Sequence, residues 1–191
     1  MLEGILVDLV PYGERFRARD HVWWNNESRF WSGIGDRRFT SRAQIDAEHR
    51  EWDDYEGPSS GVAFGVQTKD GTPIGYMGIN WLLPHHRLAM LGASIGEPDY
   101  WGSGFGTDAL LLLVDYAFDE LDIRKIWLGT MSLNARVMRQ MEKVGFTLEV
   151  RQRQSIYADG AWYDQLLYGL LCEEWPGRPA LVEKLGLAAH S

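Results

Sequence analysis

Between Leu88 and Val114 the chain passes from an alternating apolar segment, through closely spaced glycines, into an unbroken apolar run. Leu88 to Ile95 reads as a strand. Gly96-Glu97-Pro98-Asp99-Tyr100-Trp101-Gly102-Ser103-Gly104-Phe105-Gly106-Thr107 follows, and Ala109 to Val114 lies between Asp108 and Asp115. Gly102, Gly104 and Gly106 carry no Cβ where the backbone must turn or a ligand approach it. The helix that starts there presents unsatisfied N–H groups and the positive end of its dipole. A strand, a glycine loop and a helix in this order suit a phosphate or pyrophosphate; a plain connection is the competing reading of the loop alone. No Gly-Lys-Ser/Thr follows, so it is not a nucleotide P-loop. The segments ahead of it read as an antiparallel meander rather than a βαβ unit, which makes it a poor dinucleotide fingerprint.

The rest of the chain arranges itself around this segment. Ile5 to Val10 can open a sheet. Pro11 to Ser32 is partly helical and is broken by Gly33 and Gly35. Ser41 is a plausible N-cap for a helix running to Tyr55, with Ile45, His49 and Trp52 at helical spacing. A loop at Gly57 to Gly61 ends this part. Val62, Phe64 and Val66 alternate as a strand does, and Asp70-Gly71 turns the chain into a second strand, Ile74 to Leu83. Pro84-His85-His86 turns it again into Leu88 to Ile95. Asp108 to Leu121 is helical, Lys125 to Gly129 a buried strand, and Asn134 to Val144 a helix stopped by Gly145. Phe146 to Tyr157 and Trp162 to Leu171 form a last hairpin about Asp159-Gly160. The order β-α-α-β-β-β-α-β-α-β-β predicts an α/β (α+β) fold, with a central mixed sheet of about seven strands flanked by helices. It is read as one domain over 1–191, with a core over about 3–173 and a tail over 174–191.

Composition narrows the functional classes. Of 191 residues, 45% are hydrophobic and 24% charged, which is globular rather than disordered. Nineteen basic against 27 acidic residues leave a net charge of −8, which disfavours non-specific nucleic-acid binding and is compatible with a cationic acceptor. The single cysteine, Cys172, excludes an internal disulfide and any multi-cysteine metal cage, and fits a reducing, cytoplasmic setting. Cys172 falls on the last strand, where a structural role is expected. The first residues lack the features of a signal peptide, and no apolar run approaches the roughly 20 residues that cross a bilayer. No metal and no membrane partner is expected. Nine tryptophans provide either core packing or an aromatic-walled pocket.

About thirty residues beyond the glycine loop comes a second signal. Asn134-Ala135-Arg136 opens a helix directly after a strand, and Glu142-Lys143-Val144-Gly145-Phe146 closes it. Asn134 by itself is an N-cap. Taken with Trp101-Gly102-Ser103-Gly104-Phe105-Gly106-Thr107, however, the pair resembles the GNAT superfamily of acetyl-CoA-dependent N-acetyltransferases, and within it the RimJ/RimL-type branch of ribosomal-protein N-terminal acetyltransferases. The resemblance covers roughly 3–173 and is most specific from Gly92 to Phe146.

This resemblance implies an acetyl group moved directly from acetyl-CoA to a primary amine through a tetrahedral intermediate, with no covalent enzyme intermediate. The amine would belong to a protein N-terminus, a polyamine, an aminoglycoside or a small metabolite. Pantetheine would lie where the strand ending at Ser94-Ile95 splays from Lys125 to Gly129, alongside Gly96. The Ile95 N–H would hold the oxyanion. Trp101 and the loop from Gly102 to Thr107 (Ser103, Gly104, Phe105 and Gly106 included) would hold the pyrophosphate, and Asn134 and Arg136 the cofactor arm. Met141 stands where many members carry a proton-donating Tyr, which leaves Ser132, Tyr100 or water as acid. Met90 stands where relatives often carry Glu, which leaves Glu97, Asp99, His85 or His86 as candidate bases. Trp24, Trp31, Tyr76 and Asn80, with Trp23 and Trp81, would line the acceptor pocket. A homodimer is a family-level expectation. A CoA-binding sensor with little turnover is the alternative function.

Overall fold

The computed structural model describes residues 1–54 and 61–188, and gives the backbone alone for 52–54 and 80–82. Eight strands form one sheet: β1 (Leu2–Glu3), β2 (Val7–Pro11), β3 (Val62–Thr68), β4 (Pro73–Leu83), β5 (Leu88–Ile95), β6 (Lys125–Met131), β7 (Thr147–Ala158) and β8 (Ala161–Leu171). Their order is β1-β2-β3-β4-β5-β6-β8-β7. Every pairing is antiparallel except β5 with β6. The helices are α1 (Glu14–Trp23), α2 (Glu27–Ser32), α3 (Arg42–Asp54), α4 (Phe105–Asp119), α5 (Ala135–Val144) and α6 (Arg178–Leu185).

The expected mixed sheet is present, with one strand more than anticipated. Leu2–Glu3 pairs with β2 and is too short to show an alternation. The stretch before Gly33 holds two helices, because α1 ends at Trp23 and Asn26 starts a new one. The Asn26 side chain accepts from the Ser28 N–H at 2.8 Å, and the Ser28 hydroxyl donates back to the Trp23 carbonyl at 2.8 Å. Ser41 caps α3 as expected. Its hydroxyl accepts from the Gln44 N–H at 3.3 Å while Gln44 Oε1 accepts from the Ser41 N–H at 2.9 Å, a reciprocal capping box. Tyr55 and most of the loop after it lie outside the described residues. Helix α4 begins at Phe105, three residues before the expected Asp108, because Gly104 in the left-handed region (φ 92°) already starts it. Cys172 begins a 3-10 turn after β8 rather than lying on that strand, and it is exposed.

Helix α4 is apolar on nearly all sides. Ala109 to Val114, Ala117 and Phe118 are all buried, as befits a helix enclosed in a core. The main cluster joins them to Val66, Met77, Ile79, Ile126 and Leu181. Successive residues of β4 separate the two layers. Met77 packs in the α4 cluster, whereas Tyr76 packs with Phe16 and Trp23 of α1, Trp24 just past its end and Ile45 of α3. Since neighbours on a strand point to opposite faces, α4 covers one face and α1 the other.

One buried carboxylate ties the ends of the chain to α4. Asp108 has no exposed surface. Its Oδ2 accepts from the Leu6 N–H at 2.7 Å and the Val7 N–H at 3.2 Å, and its Oδ1 from Arg178 of α6 at 3.3 Å. Removing it would leave two buried amides and a guanidinium without an anion. Asp108→Ala is expected to lower the unfolding free energy by about 3 kcal/mol, read from urea denaturation. A loss below about 0.5 kcal/mol, the range of ordinary surface changes, would contradict this role.

Candidate active site

Strands β5 and β6 are joined only over Leu88↔Lys125 to Met90↔Trp127, although both run on. Beyond that point β6 pairs with β8 alone as far as Met131. The sheet therefore opens toward the carboxyl ends of its one parallel pair, where ligands of α/β sheets bind.

The edge facing this opening can be read from the register. Gly75 and Ile95 are opposite each other, and the Gly96 N–H donates to the Ile74 carbonyl at 2.8 Å. That bond flanks the pair, so the N–H and C=O of Ile95 point away from β4, into the opening. The Ile95 carbonyl does accept from Trp101 Nε1, at 2.8 Å. By alternation Ala93 and Leu91 face the same way. Across β4, the register shifts between Ile79 and Trp81. Asn80 is the extra residue of this bulge; its side chain lies outside the described residues, as does that of Trp81.

The chain after β5 supplies the end wall. Gly102 and Gly104 both have positive φ (82° and 92°), and no side chain caps α4 at Gly104. The early amides of the helix, including that of Gly106, have no carbonyl one turn before them. Thr107 departs from the expected set, since its N–H already donates to the Gly104 carbonyl at 2.9 Å. Its hydroxyl accepts from Gln140 of α5 at 3.2 Å, a link between α4 and α5 that no local pattern announces.

The structure brings the two sequence signals together. The Arg136 guanidinium lies 4.3 Å from the centre of the Trp101 ring, within cation–π range. Burial there holds Arg136 below its ordinary pKa. Asn134 is buried and caps α5, its Oδ1 accepting from the Val137 N–H at 3.3 Å. Met141 is buried in the α4 cluster and gives that position apolar packing. Ser132 faces β8: its hydroxyl accepts from the Asp164 N–H at 3.1 Å, and its own N–H donates to the Asp164 carbonyl at 2.9 Å.

On the other face, Ser94 is buried and lies opposite Tyr76, so the two side chains share the α1 side of the sheet. Glu97 accepts from Trp23 Nε1 at 2.8 Å and is ion-paired with Arg19. A carboxylate so engaged is already a structural tie between α1 and the end of β5. Trp24 is core rather than an open wall, packed edge-on to His49 at 6.1 Å. Trp31 stacks edge-on with Phe30 at 4.9 Å in a separate cluster with Met131 and Ile156. His85 and His86 are exposed on their turn. Beneath this face lies a network that sequence reasoning missed. Asp20, without exposed surface, accepts from the Tyr12 hydroxyl at 2.6 Å and lies 2.7 Å from His49 Nε2. Burial pushes the Asp20 carboxyl above its ordinary pKa, and burial together with this bond raises Tyr12.

The family model for the acetyltransferase (GNAT) domain matches residues 9–147. The chain belongs to this family. It is an N-acetyltransferase, the description that its relatives' names also carry. YdaF of Bacillus subtilis (strain 168), named as a ribosomal N-acetyltransferase, is 29% identical over 128 residues, 67% of each chain. YjcK of the same organism is 40% identical over 112 residues, 56% of this chain and 60% of that one. Solved structures share the fold. The spermidine N-acetyltransferase of Vibrio cholerae in complex with CoA and spermine superposes with a TM-score of 0.78 at 19% identity, over 88% of this chain and 97% of that one. Mycobacterium smegmatis RimJ in complex with CoA-disulfide gives 0.75 at 23%, over 97% and 91%.

Of the loop glycines, Gly104 is held by the fold itself. A Cβ there would stand 3.0 Å from Leu6 Cδ1 and 3.3 Å from Leu187 Cδ2, in a backbone conformation that L-residues avoid. Gly104→Ala is expected to cost at least 1 kcal/mol of stability, on the order of the left-handed penalty, measured by thermal unfolding without ligand. An unchanged midpoint would show that this loop relaxes freely.

Proposed function

We propose that this protein transfers an acetyl group from acetyl-CoA to a primary amine. The observation that carries the reading is the open edge of β5. Ala93 turns its amide and carbonyl into the opening, with the Leu91 carbonyl and the Ile95 amide on either side, and an extended chain of amides such as pantetheine can pair with them as an added strand. At the far end, the amides of Gly104 and Gly106 at the start of α4 suit a pyrophosphate, with Ser103, Phe105 and Arg136 beside them. The residues present therefore fit acetyl-CoA, which supplies the activated acetyl group. The Ile95 N–H stabilises negative charge on the acetyl oxygen. Asn134 keeps its cap through Oδ1 and offers its amide N–H groups to the cofactor arm.

The acceptor enters from the α1–α2 side, past Tyr76 and Ser94. The spermine-bound neighbour and the ribosomal name of YdaF make polyamines and protein N-termini the first acceptors to test. A net charge of −8 favours a cationic one. Among the described residues no helix is long and apolar enough to cross a membrane; we place the enzyme in the cytoplasm and expect a homodimer. The buried Met141 is the observation that favours the second reading, a CoA-binding sensor without turnover.

Thiol release from acetyl-CoA, measured with spermidine, kanamycin and peptides with free N-termini, separates the two. Release with one class establishes transfer and names the acceptor. Thermal stabilisation by acetyl-CoA without release from any of them favours the sensor. Asn134→Asp retains a capping oxygen and removes the amide donors. It is expected to leave unfolding within about 0.5 kcal/mol of wild type, the range of neutral changes, and to weaken acetyl-CoA binding at least threefold by calorimetry. Unchanged binding would remove Asn134 from the site.

A further inference from the structure

Acetyl transfer from a thioester leaves a thiolate, and the residue at the usual donor position, Met141, carries no proton. Resting on the transfer reading above, we propose that the Tyr76 hydroxyl is the proton donor to the departing CoA thiolate.

Four features of the structure lead to this residue. Tyr76 stands in register with Ser94, one residue before Ile95, whose N–H faces the opening. Its ring is held by Tyr12 at 5.9 Å, 70° from parallel, and by Trp23 at 6.5 Å, so the phenol is fixed rather than free to swing. Ser32 on α2 and Ser94 on β5 place their hydroxyls near it. The other described candidates are turned elsewhere. The Tyr12 hydroxyl is given to Asp20, Ser132 is bonded to β8, and the Tyr100 ring packs edge-on to Phe105 at 5.0 Å. The charged groups around Tyr76 are Asp20 and Arg29. Burial first, and the nearby Asp20 second, raise its pKa, so the phenol stays protonated in the resting enzyme and gives up its proton only as another arrives.

The step balances without a further reagent. The neutral amine nitrogen bonds to the acetyl carbon, and the carbon–sulfur bond breaks with its electron pair on sulfur. Sulfur takes the proton from Tyr76 Oη. The proton released by the acylated nitrogen reaches the Tyr76 oxygen as this one leaves, so no free phenolate forms. The products are the amide and free CoA thiol.

Tyr76→Phe removes only the hydroxyl and keeps the ring against Tyr12 and Trp23. Two readouts test it. With the acceptor identified among spermidine, kanamycin and free-N-terminus peptides, kcat should fall roughly 100-fold, the lower range for a lost general acid, with KM for acetyl-CoA within about twofold. Independently of any acceptor, calorimetry at pH 8.5, near the ordinary thiol pKa, compares CoA with desulfo-CoA. Wild type should prefer CoA, and Tyr76→Phe should lose roughly tenfold of that preference, as for a hydrogen bond to a charged group. Equal weakening of both ligands, or wild-type values in both readouts, overturns the assignment and leaves the transferase reading standing. A wild-type protein that binds neither CoA nor acetyl-CoA overturns both.

Discussion

The carboxylate of Asp108 is the point on which the site depends. Buried charge is tolerated only where partners surround it, and here the partners come from three distant parts of the chain. The turn into β2, the first turns of α4 and the start of α6 converge on two oxygens. Gly4 makes room for this, since a Cβ there would stand 2.4 Å from Asp108 Oδ2. The consequence is local to the chemistry. The helix whose amides face the opening is fixed at its N-terminal end, where a displacement would misalign them.

Much of the fold was legible, for a physical reason. Glycines in the left-handed region, a helix cap at Asn134 and a stop at Gly145 (φ 109°) are requirements of the backbone, and few residue types meet them. The alternation in β3 to β5 and the apolar run of α4 report burial directly. The two-residue β1 carries no period, and the division of α1 from α2 depends on side-chain bonds of Asn26 and Ser28 that composition alone does not reveal. The Asn80 bulge is a mismatch between two strands and belongs to neither sequence alone.

Most of the site's polar pairings were not legible. Asp20 and His49 are 29 residues apart, and Arg19 and Glu97 are 78 apart. Each is an ordinary surface-type residue until the fold brings it to its partner. Glu97 shows the effect clearly. It follows β5 closely and looks like a base in sequence, but in space it is joined to Arg19 and Trp23. The tryptophans divide similarly. Trp23 and Trp24 build the α1 core, while Trp101, outside that core, links the Ile95 carbonyl to Arg136.

In the proposed transfer reading, the gap between β5 and β6 treats cofactor and acceptor differently. On one side the contacts are main-chain amides and carbonyls, which every residue type supplies. On the other, toward α1 and α2, they are the side chains of Tyr76 and Ser94. In the proposed transfer reading, changes of side chain along β5 would leave the grip on the activated group almost untouched, while single replacements on the opposite face would redirect the enzyme to another amine. Retargeting such a scaffold is a problem of one wall.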